Sequence, residues 1–406
     1  MPGSRLGKPR YQLRRKYNQI EVAIVDGAAL SSTEVQRSLD PLIAQLPHEA
    51  ERASQLIGLV AGTGSRADYQ ARYGWGGVRL FQTSAQARIY QLAVETFADH
   101  VNNVYLICDE RSRTLYDCGS HTSGSRAELA RASQMLTRAF SAPGLHEVTD
   151  VVVSHAHIDH FGGVGHFAGR ARIFAHEFDA RVVSRFEERV VQMAMQLRVF
   201  LERAGVDADT RAELEQMYVF SKQLYKSVPV TRMVQDGEAI NGHTLFHVPG
   251  HCPGQVCLQV HNVLLTADHV LPRITPHQSP ESITPWTGLD HYFRSLQRVA
   301  TLPGIDLALP GHEEPIADLR TRIVEIERFH RARLDKVRAA CATPLTTVEI
   351  TQALFGQQSG YGRLLALEEA AAHIEYLQRR GWLEIANLEE LASAPNPVLA
   401  YRALGT

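Results

Sequence analysis

Apolar and polar positions change rhythm several times along the chain. Residues 20–25 (IEVAIV) make a short apolar run that predicts a strand. Residues 31–60 carry Leu39, Leu42, Ile43 and Leu46 at helical spacing, with Ser32 or Thr33 as N-cap. The glycine-rich stretch 61–77 lacks the lysine and hydroxyl of a phosphate loop and predicts a loop or linker. From Leu80, short apolar runs bounded by polar turns (RIYQLAV, NVYLIC, TLYDCG) predict strands, followed by a helix over 125–140 and the buried strand Val151-Val152-Val153. Residues 176–228 read as mostly helical, with Gly205 as a helix stop. Strands return at 244–248, 256–260, 262–266 and 306–309, so the body is α/β. Past residue 320 come a long charged helix, LTTVEITQALF with a Thr cap, and ALEEAAAHIEYLQRRG. The strand WLEIA and the extended PVLAYRA follow, completing a winged-helix outline.

Composition alters this little. Hydrophobic residues make up 44% and charged residues 21%, which excludes a wholly disordered chain. No apolar run approaches the roughly 18–20 residues of a membrane span, and no signal peptide is expected. A net charge of −2 gives the whole chain no electrostatic reason to bind nucleic acid or membrane. Residues 1–20 hold six bases and no acid, an arm that could touch phosphates but reads more simply as a mobile terminus. Five cysteines without a C-x-x-C pair point to a reducing cytoplasm. The 19 histidines are more informative, because they cluster.

The decisive stretch is His155-Ala156-His157-Ile158-Asp159-His160. Four fixed positions of this kind arise by chance in roughly one sequence of this size in 400. The stretch leaves the end of a buried strand; alternation puts His155 and His157 on one side, and Asp159 and His160 follow the turn. One loop can thus offer ligands to two neighbouring metal positions. His251 and His312 each follow a strand through a Pro-Gly turn, and Asp268 follows the strand NVLLT. Imidazole and carboxylate without thiolate suit zinc, iron or manganese.

HAHIDH, GHCPG, TADH and PGHE, in that order, resemble the metal-binding motifs of the metallo-β-lactamase superfamily in its glyoxalase II-like and lactonase-like branch. Tyr116-Asp117-Cys118-Gly119 resembles that family's early aspartate–glycine motif. The resemblance implies a four-layer αββα sandwich over residues 80–330, with a helical cap insertion at 176–228. An N-terminal extension (1–79), which could cover the cleft or mediate a homodimer, and a winged-helix-like subdomain (331–406) flank it. It implies two divalent metals, zinc first and iron or manganese as alternatives. His155, His157 and His251 would hold one; Asp159, His160 and His312 the other; Asp268 would bridge them, with Asp117 positioning the ligand loop.

Ala156 stands where flavodiiron relatives have an acidic ligand, which disfavours oxygen reduction, and the bridging Asp268 is unlike true β-lactamases. No glutathione-binding basic pattern is found in the C-terminal helices. Two dications about 3.5 Å apart bring a bridging water towards hydroxide at neutral pH, with Asp159 orienting it and relaying its proton. The expected activity is therefore hydrolysis of a small carbonyl substrate, a thioester or a lactone or other ester. A ribonuclease or phosphodiesterase of the same family is one alternative and a mononuclear iron persulfide dioxygenase another. Val190, Met193, Met195, Leu197, Phe200, Tyr218, Phe220 and Tyr225 are candidates for an apolar acyl channel, although such residues at helical spacing more often pack together. Phe161, His269 and His277 are further candidate substrate contacts. His166 and His176 are not needed as ligands, and Cys252 reads as a buried thiol.

Overall fold

The computed structural model describes residues 10–16, 19–26, 66–73, 77–110, 112–391 and 395–404. The helix expected over 31–60 and the first nine residues of the basic arm lie outside the described residues. The next part of the arm differs from expectation. Instead of a mobile terminus, β1 (Arg10–Lys16) pairs antiparallel with β2 (Gln19–Asp26). Within the expected loop 61–77, Arg66–Tyr73 is a helix, α1. Its buried Tyr69 places a hydroxyl 2.9 Å from Asn103 Oδ1 and 2.8 Å from the Glu313 carbonyl, a tertiary anchor that the flanking glycines conceal.

Two sheets form the body. The first runs β3 (Val78–Gln82), β4 (Arg88–Phe97), β5 (His100–Cys108), β6 (Arg113–Tyr116), β7 (Asp150–Val152), β8 (Arg172–His176) and β9 (Arg232–Val234) in sequential order. Pairing is antiparallel as far as β6 and parallel beyond it. Parallel pairing needs crossovers. The helix α2 (Ser123–Ala139) makes one of them, and α3 (Glu177–Ser184), α4 (Phe186–Ala204) and α5 (Ala208–Lys222) together make another. The second sheet is β10 (Ala239–Ile240), β11 (His243–His247), β12 (Val256–Val260), β13 (Val263–Ala267) and β14 (Leu307–Pro310), with α6 (Leu289–Ala300) crossing between the parallel pair β13 and β14.

Strand alternation builds the layers. In β5, Tyr105 and Ile107 face the second sheet, while Val104, Leu106 and Cys108 face α2. In β12, Val256, Leu258 and Val260 point inward, and Cys257 packs towards α6 and α7 (Leu319–Ala340). Central strands such as β5 and β13 are buried on both faces, so their cores read as apolar runs. The result is the expected αββα sandwich. Two phenols tie its halves together: Tyr105 donates to the Pro310 carbonyl (2.6 Å) and Tyr116 to that of Val256 (2.7 Å).

The C-terminal segment adds β15 (Leu345–Thr346), α8 (Thr347–Phe355), α9 (Gly360–Arg379), β16 (Leu383–Ile385), α10 (Leu388–Leu391) and β17 (Ala400–Ala403), with β17 central in a three-stranded sheet. Thr346 caps α8 in a capping box with Glu349, and Gly205 ends α4 at φ 87°, both at the expected positions. Leu197, Leu201 and Leu214 of the inserted helices pack on Leu364 and Leu367 of α9. The insertion and the C-terminal helices therefore share one small core beside the sandwich.

Between α7 and α9, His330 and His373 are fully buried. His373 Nδ1 donates to the Glu369 carbonyl (2.7 Å), so its Nε2 accepts from His330 Nδ1 (3.2 Å). Arg333 and the Gln278 backbone N–H occupy the Glu369 carboxylate. Burial, with His373 and Arg333 adding to it against the pull of Glu369, pushes His330 down to about 3. An unfolded histidine titrates near 6.5, so stability held by the neutral ring is present above that pH and declines as pH falls towards 3. His330→Leu is expected to flatten the acid side of the stability curve between pH 6.5 and 4. Urea unfolding at several pH values checks this; parallel curves for variant and wild type would refute it.

Candidate metal centre

The polar loops converge at one edge of the sandwich. After β7, Ser154 leads into the turn carrying His155, His157, Asp159 and His160. At the end of β13, Ala267 (φ 44°) turns the chain so that Asp268 leaves the sheet edge. After β14, Gly311 delivers His312, and after β11 the Pro249-Gly250 turn delivers His251. All seven candidates come together. Nitrogen and oxygen atoms within 4.8 Å of one another group His155, His157 and His251; His155, His160 and Asp268; and His100, Asp159 and His312. His100, at the start of β5, is the member sequence reasoning missed.

Hydrogen bonds behind the imidazoles fix which nitrogen points inward. His251 Nδ1 donates to the His277 carbonyl (2.6 Å), and His312 Nδ1 to that of Val101 (2.8 Å). His160 Nδ1 lies 2.8 Å from Asp117 Oδ2, and His155 Nδ1 lies 2.9 Å from Ser154 Oγ. Each Nε2 is thereby left towards the cluster. His155 Nε2 stands 3.0 Å from His157 Nδ1, while His251 Nε2 and Asp268 Oδ1 are buried without a hydrogen bond among the described residues. Orphaned buried acceptors are costly unless something electropositive meets them, so the donor set fits divalent cations.

The charges agree. Burial, reinforced by neighbouring imidazoles, holds His155 and His157 well below the ordinary histidine value, as a ligand's neutral ring requires. Burial works against ionising Asp159 and Asp268, yet adjacent histidines hold both carboxyls well below their usual range. Asp159 Oδ2 is fastened by His100 Nε2 (3.0 Å) and Asn102 Nδ2 (3.0 Å). Asp117, at φ 61°, accepts from Ser154 N (2.8 Å) and Ser154 Oγ (2.7 Å) as well as facing His160. The Gln255 amide oxygen, in the orientation that satisfies its neighbours, accepts from Asp268 N (3.1 Å) and His269 N (2.8 Å). Gly311 is required sterically: a Cβ there would stand 2.2 Å from Asp268 Oδ1.

Asp179, at the start of α3, is a second residue that sequence reasoning missed. Its two oxygens accept from Ala156 N (2.8 Å) and Gly254 N (2.9 Å), tying the HAHIDH loop to the GHCPG loop. Asp179→Asn would set an amide N–H against a backbone N–H. The expected loss is about 1–3 kcal/mol of stability, read from the urea midpoint, together with lower metal occupancy. An unchanged midpoint with full metal content would count against this tie.

His157, Asp159, His251, Asp268 and His312, with His100, floor a cavity of about 520 Å³. Its walls include Phe186, Val190 and Met193 of α4, Tyr218 and Lys222 of α5, and Tyr361, Leu365 and Glu368 of α9. Several expected wall residues lie elsewhere. Phe161 packs among Phe186 and Tyr225 in the core, and Tyr225 is buried with its hydroxyl 2.7 Å from Ser120 Oγ. His269 is turned inward against Tyr292, whose hydroxyl donates to the His269 carbonyl, and takes no part in the cavity wall. Leu197 is core, whereas Met195 and Phe200 line a separate groove. His277 does line the cavity, with Nε2 3.0 Å from the Leu365 carbonyl. His166 stacks on His121 and His176 on His247, away from the cluster. Cys252 touches Asp179, and burial pushes its thiol well above the usual value, which disarms it as a nucleophile.

The likenesses to known proteins follow this geometry. The metallo-beta-lactamase superfamily model matches residues 98–312, a span holding all seven candidate ligands and His100. The chain is 27% identical over 290 residues to the probable metallo-hydrolase YqjP of Bacillus subtilis (strain 168), covering 68% of this chain and 87% of that protein. Among solved structures, the metallo-beta-lactamase family protein TTHA1429 from Thermus thermophilus matches with TM-score 0.63 and 27% identity, over 78% of this chain and 98% of its own. A beta-lactamase domain protein from Burkholderia ambifaria matches with the same score and identity, over 80% and 94%. An αββα body with these histidines and aspartates gathered at one edge, matched over more than half its length, belongs to the metallo-beta-lactamase superfamily of metallo-hydrolases.

Proposed function

We propose that the protein is a dinuclear metal-dependent hydrolase of small carbonyl compounds, with thioesters and lactones as the substrate class. His155, His157 and His251 would hold one cation, Asp159, His160 and His312 the other, and Asp268 would lie between them. The observation that carries this reading is the set of imidazole nitrogens left facing two ionised, buried carboxylates on the cavity floor. Bound cations there would polarise the carbonyl and acidify water.

The chain's own groups supply the rest. His100 and Asn102 fasten Asp159 Oδ2 and so hold the carboxylate in place, where besides holding its cation it would orient the attacking water and accept its proton. The water oxygen bonds to the carbonyl carbon, the carbon–sulfur or carbon–oxygen bond breaks, and the proton passes to the leaving thiolate or alkoxide. Phe186, Val190, Met193 and Leu365 give the acyl part an apolar wall that excludes bulk water. A seven-member donor set favours two metals over the mononuclear iron of a dioxygenase. The small cavity, walled partly by Glu368, favours a compact carbonyl substrate over an RNA strand.

Metal analysis by mass spectrometry, with thioester, lactone and single-stranded RNA panels assayed on the same loaded protein, tests this. The expected result is a metal ratio near two, with turnover confined to the carbonyl panels. RNA cleavage without carbonyl turnover would replace the proposal with the phosphodiesterase reading.

A further inference from the structure

The cavity carries a second polar group, on the helical wall contributed by α5 and α9. Lys222 ends α5, and its ammonium sits 5.5 Å over the Tyr218 ring. Tyr361 and Glu368 line the same cavity from α9. Electrostatic coupling links Tyr361 to Tyr218, Glu368 and Asp159, and Lys222 to Asp159 and Glu368. The groups thus share a neighbourhood with the Asp159 side of the metal centre.

Three donors in this neighbourhood are unspent. Among the described residues, none hydrogen-bonds or ion-pairs with the Lys222 ammonium or with the hydroxyls of Tyr218 and Tyr361. Glu368 is engaged otherwise, accepting from Ser279 Oγ (3.2 Å) and lying 3.6 Å from His277 Nε2. Burial pushes the lysine down to about 8, with Asp159 and Glu368 pulling it back up. A half-sheltered ammonium without a hydrogen-bonded counter-ion is unfavourable on its own and is relieved by a ligand anion.

We propose that Lys222, with the phenols of Tyr218 and Tyr361, forms a carboxylate-binding subsite, and that the substrate carries a free carboxylate at the end remote from the carbonyl that is hydrolysed. One cation and two neutral donors match a single negative charge. A phosphate dianion would meet Glu368 beside that one cation. Of the other cations lining the cavity, Arg333 is paired with Glu369, while Arg189, whose charge also acts on the Tyr218 phenol, reaches Thr284 Oγ1 with Nη2 at 3.5 Å. The remote-carboxylate substrate rests on the carbonyl-hydrolase reading above; the subsite itself does not.

The test uses the metal-loaded full chain in two arms. In the first, kcat/KM is measured for succinyl and glutaryl thioesters of N-acetylcysteamine against their uncharged butanoyl and pentanoyl counterparts. Wild type is expected to prefer the charged member about tenfold or more, and Lys222→Met to lose that preference through KM, with Lys222→Arg retaining part of it. In the second arm, calorimetric titration with glutarate and with inorganic phosphate reads binding without turnover. Glutarate is expected to bind wild type, more weakly Tyr361→Phe, and Lys222→Met at least about tenfold more weakly. Metal content and circular dichroism confirm that each variant is folded and loaded. Equal rates on charged and uncharged thioesters, a preference untouched by Lys222→Met, or phosphate binding tighter than glutarate would overturn the proposal. If neither thioester nor lactone is hydrolysed, the carbonyl-hydrolase reading falls, and glutarate binding still decides the subsite by itself.

Discussion

Asp268→Ala is expected to lower kcat/KM at least about a thousandfold and to strip metal from the protein while the fold persists. Asp268 is the carboxylate between the two histidine groups. Its Oδ1 lies 3.4 Å from His160 Nε2, and its Oδ2 lies 3.3 Å from His312 Nε2 and 3.8 Å from His251 Nε2. Without it, imidazole lone pairs would face one another across a buried space, with only Asp159 to balance the two cations proposed there. The fold should tolerate the change, because the Asp268 side chain spans no layer of the core and the Asp268 N–H is still met by Gln255. Steady-state kinetics, metal analysis and circular dichroism on one preparation check the three parts. Near-normal turnover with full metal content would remove Asp268 from the centre.

The second large effect is expected at Asp117, which does not line the cavity. Its carboxylate accepts from the backbone and hydroxyl of Ser154 and faces His160 Nδ1, so it braces the start and the end of the HAHIDH loop at once. Asp117→Ala would leave the Ser154 N–H and the His160 ring N–H buried and unpaired, at about 1–3 kcal/mol for each group. It would also free the His160 ring to rotate. Loss of such a support typically lowers metal affinity about 10- to 100-fold. A competition titration with a chromophoric chelator reads the affinity, and urea unfolding the stability. Affinity within about twofold of wild type would mean that the loop is held by other contacts.

Much of this centre was legible before folding was considered, for a local reason. A ligand that leaves the end of an apolar strand is marked by the strand itself, and HAHIDH, GHCPG, TADH and PGHE each stand at such an end. His100 has no comparable mark. It opens β5 after a tight turn, and only the sheet order β5-β6-β7 brings it to Asp159 in the loop after β7. Asp179 is equally mute, since its role depends on two backbone N–H groups from separate loops. His269 shows the opposite error. Its place beside Asp268 suggests the site, yet the turn after β13 sends adjacent side chains in different directions, one to the cavity and one to the core. The amphipathic helix α6 was also missed, although Leu289, Tyr292, Phe293, Leu296 and Val299 mark its buried face.

What the chain determined by itself was the rhythm of apolar strands and helices, and the polar residues that interrupt it at strand ends. Those are short-range properties, set by alternation, capping and turn chemistry within a few residues. Only the tertiary structure decided which nitrogen of each histidine points inward, that His100 and Asp179 join the centre, and that Lys222 faces it across a cavity. Each of those depends on contacts between segments far apart in sequence, where burial and hydrogen bonding, and not local pattern, choose the partner.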